Sequence, residues 1–454
     1  MGGALRRSLL VSPYFPPVGV SGTKRALHLS RQLSAYGWEP VILTGGAIGE
    51  PIDESLSSCV PPQLTVSRGY SGALRPWLEA RKQLKQQRRA SLRGDSERAV
   101  SSSGPSLMAR LKPKHLPYWL PFDRYWLDRR AGYREMTRLV REHALELIHV
   151  SADPWAPLAV AERVSRELDV PLVVDFRDPW SVHEGKMALR PRLTQAWIRA
   201  FEERLFKQSA AVILNTETAR DVYIERYRGR VEASRFYAVR NAFDRGLFES
   251  LPTHIERGAH AAGEGTFTAL YFGRFRAFVS PERLFEAFAR FVEGRSLSPE
   301  RAQLEVVGGL SSEHLELAER CGVREHLKLS PSVPFRACLP TLQGASVLLL
   351  VIEPECYMQI PGKLYDYFAA ARPIIALSAN QEANRMITEV KMGSAVDHSD
   401  LEAITAALDL HYQRWSEGLE PAHEELEGLV EPYSARAQAR AISEIYERAC
   451  EGRS

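Results

Sequence analysis

At 454 residues the chain exceeds the size that one hydrophobic core usually serves, so two domains are expected. A hydrophobic content of 44% with 25% charged residues is ordinary for a soluble globular protein, and a net charge of +3 is too small to point to nucleic acid. Five cysteines without a CxxC pair argue against a disulfide framework and a cysteine metal site, and no apolar run reaches the roughly 18 residues of a membrane span. Behind Arg6 and Arg7 the apolar run 8–12 is too brief for a signal-peptide core, so a cytoplasmic protein is expected.

In chain order, buried strands alternate with amphipathic helices, the pattern of parallel α/β layers. A strand is expected over 8–11, followed by the loop Pro13-Tyr-Phe-Pro-Pro-Val-Gly-Val-Ser-Gly22 and a helix over 23–36 that Gly37 caps. A second strand follows over 39–44, and further strands are expected over 147–151, 172–175, 211–215 and 236–239. Residues 68–135 break this rhythm and read as an insertion. Between Arg68 and Lys114 stand twelve basic residues against three acids, with a helical pattern over 81–98 and a break at Ser101-Ser-Ser-Gly-Pro105. Such a stretch is either a solvated helix and linker or, with Trp77, Tyr118, Trp119 and Trp126, a surface for anionic lipid headgroups.

The polar, glycine-containing residues 251–265 read as an interdomain linker. A second α/β half then has strands expected over 267–272, 303–307, 327–330, 346–352 and 374–377, with helices over 281–292, 312–321, 335–343 and 363–371. A terminal helix is expected over 435–450. The domains so drawn are 1–250 and 266–430, with 431–454 packing back on the first.

Parallel sheets bind ligands beyond the carboxyl ends of their strands, and four segments fall there. Gly19-Val-Ser-Gly22 follows the first strand, and its glycines either let backbone approach a ligand or simply form a tight turn. It is not a GxGxxG fingerprint, and Thr44-Gly-Gly46 stands where a dehydrogenase would carry an acid, which disfavours nicotinamide chemistry. In Val174-Asp-Phe-Arg-Asp-Pro-Trp-Ser181, Asp175 and Asp178 flank Arg177 and form either a structural ion pair or a substrate-handling group. Trp180 suits stacking on a sugar ring or plain core packing. In Tyr271-Phe-Gly-Arg-Phe-Arg276, Gly273 permits a turn and Arg274 offers a fork for phosphate oxygens, or is a surface arginine.

The fourth segment is Gln359-Ile-Pro-Gly-Lys-Leu-Tyr-Asp-Tyr-Phe. Pro361 and Gly362 turn the chain and put Lys363 in the first turn of a helix, against the helix dipole, where an anion would compensate it. Arg274 and Lys363 on one sheet edge could together neutralise a diphosphate. No P-loop, nucleophile elbow or HExxH site stands in the chain.

With these motifs in this order the chain resembles glycosyltransferase family 4, retaining nucleotide-sugar enzymes of the GT-B fold. Phe15-Pro-Pro-Val-Gly-Val-Ser-Gly22, Asp175-Phe-Arg-Asp-Pro-Trp180, Val239-Arg-Asn-Ala-Phe-Asp244, Gly273-Arg274 and Pro361-Gly-Lys-Leu-Tyr-Asp-Tyr-Phe-Ala-Ala370 carry the resemblance. It implies two doubly wound Rossmann-like α/β domains facing a central cleft, the first for the acceptor and the second for a UDP- or GDP-type sugar donor, with no metal. By resemblance Arg274 and Lys363 stabilise the departing diphosphate; Asp178 and Asp175, as charged residues at a strand end, are the further catalytic candidates. Gly19, Gly22, Gly273, Gly362 and Asp366 join them around the donor, and Arg177 and Trp180 stand on the acceptor side.

The sequence departs from the family where two glutamates often stand eight positions apart, since Met358 and Asp366 occupy those positions. The lysine that usually follows the donor arginine is missing, and Arg177 stands near where many members carry a cleft histidine. The function implied is retaining transfer of a hexose to a hydroxyl of a polysaccharide, glycolipid or metabolite, at or near the inner membrane face. A sugar-nucleotide epimerase or hydrolase, or a non-catalytic nucleotide-binding partner protein, are the alternatives.

Overall fold

The computed structural model describes residues 5–72, 77, 81, 119–248, 265–275, 280–419 and 423–451. The helical pattern expected over 82–98, the break at 101–105, Tyr118 and the linker over 251–264 lie outside the described residues. The chain divides into two units, Met1–Val239 with Ala439–Ser454, and Arg240–Gln438.

The first unit carries β1 (Arg6–Val11), α1 (Ser21–Gln32), β2 (Trp38–Leu43), β3 (Val66–Ser67), α2 (Arg129–Glu142), β4 (Leu147–Ala152), α3 (Ala156–Leu168) and β5 (Leu172–Phe176). It continues with α4 (Glu184–Ala188), α5 (Arg192–Gln208), β6 (Ala211–Leu214), α6 (Glu217–Arg226) and β7 (Phe236–Ala238). Its seven strands are parallel in the order β3-β2-β1-β4-β5-β6-β7. Near-continuous apolar runs such as Leu172-Val-Val174 are what a parallel sheet covered on both faces requires. The expected helix over 23–36 divides into α1 and a 3-10 turn, Leu33–Tyr36, which ends at Gly37 with φ of 88°. The left-handed residue lets the chain turn directly into β2.

The second unit carries β8 (Phe267–Phe272), α7 (Glu282–Gly294), β9 (Ala302–Val307), α8 (Ser312–Arg320), β10 (Leu327–Ser330), α9 (Cys338–Gln343) and β11 (Val347–Ile352). After these come α10 (Gly362–Ala370), β12 (Ile374–Ser378), α11 (Gln381–Glu389), β13 (Gly393–Val396), α12 (Leu401–Glu417) and α13 (His423–Val430). The six strands are parallel in the order β10-β9-β8-β11-β12-β13, so winding reverses between β8 and β11. In such a sheet the crevice for a ligand lies at that reversal. The edge strand β13 escaped expectation because it is short and begins at Gly393. That glycine has φ of 144°, and a side chain there would strike the Ile374 backbone.

The terminal helix α14 (Ala435–Glu451) belongs to the first unit from Ala439 onward. Ile442, Tyr446 and Ala449 pack with Leu10, Leu29, Trp38 and Ile42. The Trp38 and Tyr446 rings meet edge-on at 5.1 Å, and the Trp38 indole donates to Glu447 at 2.7 Å. Both sheets are Rossmann-like in winding, the α/β architecture anticipated from the alternation of elements.

Candidate active site

In the second unit the site is built where β8, β9 and β11 end. Gly273 follows β8 with φ of 105°, and its N–H donates to Val307 O at 2.7 Å. Gly308, with φ of 119°, lies so close that a side-chain carbon on it would stand 3.0 Å from the Gly273 carbonyl carbon. The two loops therefore pack backbone on backbone, which only glycine allows. Arg274 emerges from this contact with its Nε donating to Gly308 O at 3.3 Å and its side chain exposed.

Lys363 reaches the same place from α10. Its Nζ lies 4.0 Å from the centroid of the Tyr271 ring, and a carbon added to Gly273 would stand 3.2 Å from that nitrogen. The Tyr271 ring is itself stacked on Phe275, 3.9 Å between centroids. Arg274 and Lys363 thus flank Gly273 at the winding reversal. The first turn of α10 holds no acidic residue, and Pro361 supplies no side-chain cap, so this helix start favours an anion. Gly362 faces open space, since an added carbon there would meet nothing within 4 Å. Asp366 lies one turn further along α10, 8% exposed.

Two residues position this helix and its loop. The buried Tyr367 hydroxyl donates to Leu349 O at 3.0 Å and accepts from Phe272 N at 3.2 Å, tying α10 to β8 and β11. Burial drives its pKa well above the ordinary phenol value. Asn380 caps α11 by accepting from Ala383 N at 3.0 Å. Its amide nitrogen faces Cys356 O, Tyr357 O and Gln359 O at 3.1, 3.2 and 3.1 Å, and so gathers the loop that carries Met358.

The first unit gathers a different cluster. Gly19 donates to Pro51 O at 2.8 Å, and a side chain there would press on Asp53. Gly22 lies against the Arg177 guanidinium, which any side chain at 22 would displace. Arg177 extends from the end of β5, hydrogen-bonded to the Asp153 carbonyl and 3.6 Å from the Asp153 carboxylate, with its guanidinium 5.6 Å from the Tyr14 ring. Burial raises the Asp153 carboxyl, and Arg177 works against that rise. Asp178 is half-buried beside it.

Asp175 does not join this group. Its side chain has no exposure and takes two bonds from Arg25, Nε to Oδ2 at 2.6 Å and Nη2 to Oδ1 at 2.9 Å. His149 Nε2 stands 3.2 Å from the same carboxylate, and its other nitrogen 2.6 Å from the Tyr446 hydroxyl. Burial alone would raise the Asp175 carboxyl, but the Arg25 charge and the His149 hydrogen bond outweigh it and bring the carboxyl to about 2. The ion pair weighed for this segment therefore exists with Arg25 rather than Arg177.

Trp180 is 3% exposed, stacked on Trp155 with centroids 4.7 Å apart and planes 4° apart, so its ring faces lie in the core. Glu202, buried on α5, accepts from Ser181 N at 3.1 Å and Tyr227 Oη at 2.7 Å and anchors this loop from below. The sequence reading passed over Gly308, Asn380, Asp153 and Glu202. The doublet Gly308-Gly309 closing a strand, and an acid on the apolar face of α5, were the available signals. No cluster of three or more metal-ligating side chains occurs among the described residues.

A family model described as a glycosyl transferase 4-like domain matches residues 22–242, and one described as glycosyl transferases group 1 matches residues 266–413. No curated protein matches the chain in sequence. Among solved structures, a glycosyltransferase from Rickettsia africae is similar over 98% of this chain and 98% of its own, at 12% identity and a TM-score of 0.60. Anabaena HepE in complex with UDP and glucose is similar over 97% of this chain and 99% of its own, at 12% identity and 0.59. A putative UDP-N-acetylglucosamine 2-epimerase from Listeria monocytogenes follows over 99% and 98%, at 11% and 0.55. The chain thus carries a glycosyl transferase 4-like domain followed by a glycosyl transferases group 1 domain, on the fold of these glycosyltransferase structures.

Proposed function

We propose that the protein moves a sugar from a nucleoside-diphosphate sugar, of UDP or GDP type, to a hydroxyl acceptor with retention at the anomeric carbon. The observation that carries this reading is the meeting of Lys363 and Arg274 at Gly273, beside an N-terminal helix turn without acids. Charge that develops on the leaving diphosphate would be met there by an ammonium, a guanidinium and backbone N–H groups already in place. Similarity to HepE, solved with UDP and glucose, supports a nucleotide-sugar donor. Asp366 is assigned to the donor side, and Arg177, Asp178 and Asp153 to the acceptor side. Asp175 holds the end of β5 from beneath as a positioning residue. The acceptor belongs to a polysaccharide, a glycolipid or a metabolite, and the protein works from the cytoplasm as a peripheral protein of the inner membrane face.

Thermal melting with UDP, GDP and ADP tests the donor site, because a ligand bound only to the folded chain raises Tm by mass action. A rise with one nucleotide that Lys363→Ala abolishes is expected; no rise with any of the three overturns the reading. The epimerase-like neighbour and the loss of an acid at Met358 favour a second reading, a sugar-nucleotide epimerase or hydrolase. Product analysis with donor alone separates them, since a transferase needs the acceptor to turn over.

A further inference from the structure

One face of the first unit joins exposed apolar side chains to a cluster of arginines. On α5, Thr194, Ile198, Phe201 and Leu205 are buried, as expected of a helix on a sheet. Yet Leu193, Ala196, Trp197 and Ala200, at i, i+3, i+4 and i+7, are all exposed. Surface helices ordinarily present polar residues there. Leu193 is 86% exposed.

The segment before α2 extends this face and is tied to it by hydrogen bonds. Thr194 Oγ1 donates to Trp119 O and Arg190 Nη1 to Leu120 O, both at 2.8 Å, while the Trp119 and Leu120 side chains stay exposed. Phe122 stacks on Trp126 at 4.6 Å and meets Trp197 edge-on at 5.0 Å, so the apolar surface is continuous. Asp123 fixes the turn by accepting from Tyr125 N at 2.9 Å and Ala156 N at 3.2 Å.

Beside Trp126 opens a pocket of about 620 Å³ lined by Arg129, Arg130 and Arg134 of α2, Arg163 of α3, and Tyr133. Arg163 pairs with Glu167 at 2.7 Å, and Arg129 lies over the Trp126 ring at 4.9 Å. Arg130 and Arg134 are exposed and have no hydrogen-bond or ion-pair partner among the described residues.

We propose that this face docks on an anionic bilayer. Trp119, Leu120, Leu193 and Trp197 enter the boundary between headgroups and acyl chains, and the arginine pocket takes lipid phosphate. The occupant follows from charge and chemistry. Guanidinium forks match phosphate oxygens, and indoles favour the membrane interface. A second copy paired about this patch by a two-fold axis would set one basic patch against another. The inference rests on the proposed peripheral location and gives it a surface, formed by α2, α5 and residues 119–128, distinct from the basic stretch 68–114.

Flotation of the full-length chain with phosphatidylcholine vesicles, with and without phosphatidylglycerol, tests it. Binding should require the anionic lipid and weaken as salt rises. Arg130→Glu with Arg134→Glu should lower partitioning by at least about fivefold per residue. Leu193→Glu with Trp197→Glu should lower it by roughly tenfold or more, from the burial of two large apolar side chains. Both double variants should keep the wild-type Tm rise with donor nucleotide, which reads the second unit.

Flotation of the Leu193/Trp197 variant equal to wild type overturns the proposal. So does a wild-type chain that ignores every vesicle yet gains stability from nucleotide, a result that leaves the glycosyltransferase reading standing. A dimer that the same variant converts to monomer, without vesicle binding, overturns it in favour of self-association.

Discussion

The ammonium of Lys363 stands 4.0 Å from the centre of the Tyr271 ring, directly over the backbone of Gly273. A cation held on an aromatic face is restricted in position, which suits a group meant to meet an incoming anion. Gly273 makes this possible, because its φ of 105° and the space above it exclude any side chain.

Gly273→Ala should therefore act twice. The strained backbone is expected to cost about 1–3 kcal/mol of stability. The new methyl should also push Lys363 off Tyr271 and reduce the nucleotide-induced rise in Tm. Denaturant unfolding and melting with nucleotide check the two effects, and an unchanged nucleotide response would separate Lys363 from the donor.

Alanine at Lys363 or at Arg274 should each lower kcat/KM by tenfold to about 150-fold, from about 1.5–3 kcal/mol for a hydrogen bond to a charged group. Both side chains are placed on one diphosphate, so the double variant should fall short of the product of the single losses. Steady-state kinetics on all three variants measures this. Wild-type turnover in both single variants would remove the phosphate assignment.

The Asp175 carboxyl falls from its ordinary 3.8 to about 2 in the fold. A lowered pKa means the ionised form stabilises the folded state, so the contribution is whole above about pH 4 and fades as pH drops toward 2. Its size is about 2 kcal/mol. Asp175→Asn should cost more, about 3–5 kcal/mol at neutral pH, since it strands the Arg25 guanidinium in the core. Arg25→Met with Asp175→Leu should recover much of that loss and flatten the acid limb of stability. Urea unfolding across pH reads both effects.

Asn380→Ala removes a helix cap, about 1 kcal/mol, and the donor shared by three loop carbonyls, about 1–3 kcal/mol more. Asn380→Asp keeps the cap but not the donor. Its second carboxylate oxygen would instead face and repel the three carbonyls, so the aspartate variant should lose at least as much stability as alanine, and both should weaken nucleotide binding because the 356–359 loop leads into Lys363. Equal nucleotide affinity in wild type and both variants would show that the loop is not part of the donor site.

Much of the fold could be read along the chain. Runs such as Leu348-Leu-Leu350 and Ile374-Ile-Ala-Leu377 are strands because nothing but a doubly covered sheet buries them. The segments at strand ends were legible for the same reason, with Gly273, Arg274 and Lys363 each beside a strand or helix boundary that local residues specify. Short edge strands were not legible, since β3 contains only Val66 and Ser67 and draws its pairing from β2. The outward apolar face of α5 was hidden as well, because Leu193 and Trp197 read like core residues until the packing of the opposite face is known.

By itself the sequence determined the alternation of strands and helices, the two α/β halves and the strand-end position of the basic residues. Periodicity, proline and glycine act over a few residues, so they can be read in order. Tertiary structure decided which strand-end side chains are buried. Asp175 meets Arg25 across 150 positions and disappears into the core, and Trp180 stacks under Trp155. Lys363 instead stays at the surface edge over Gly273. Burial and charge pairing are set by what the rest of the chain brings into contact, and that distance in sequence leaves no local mark.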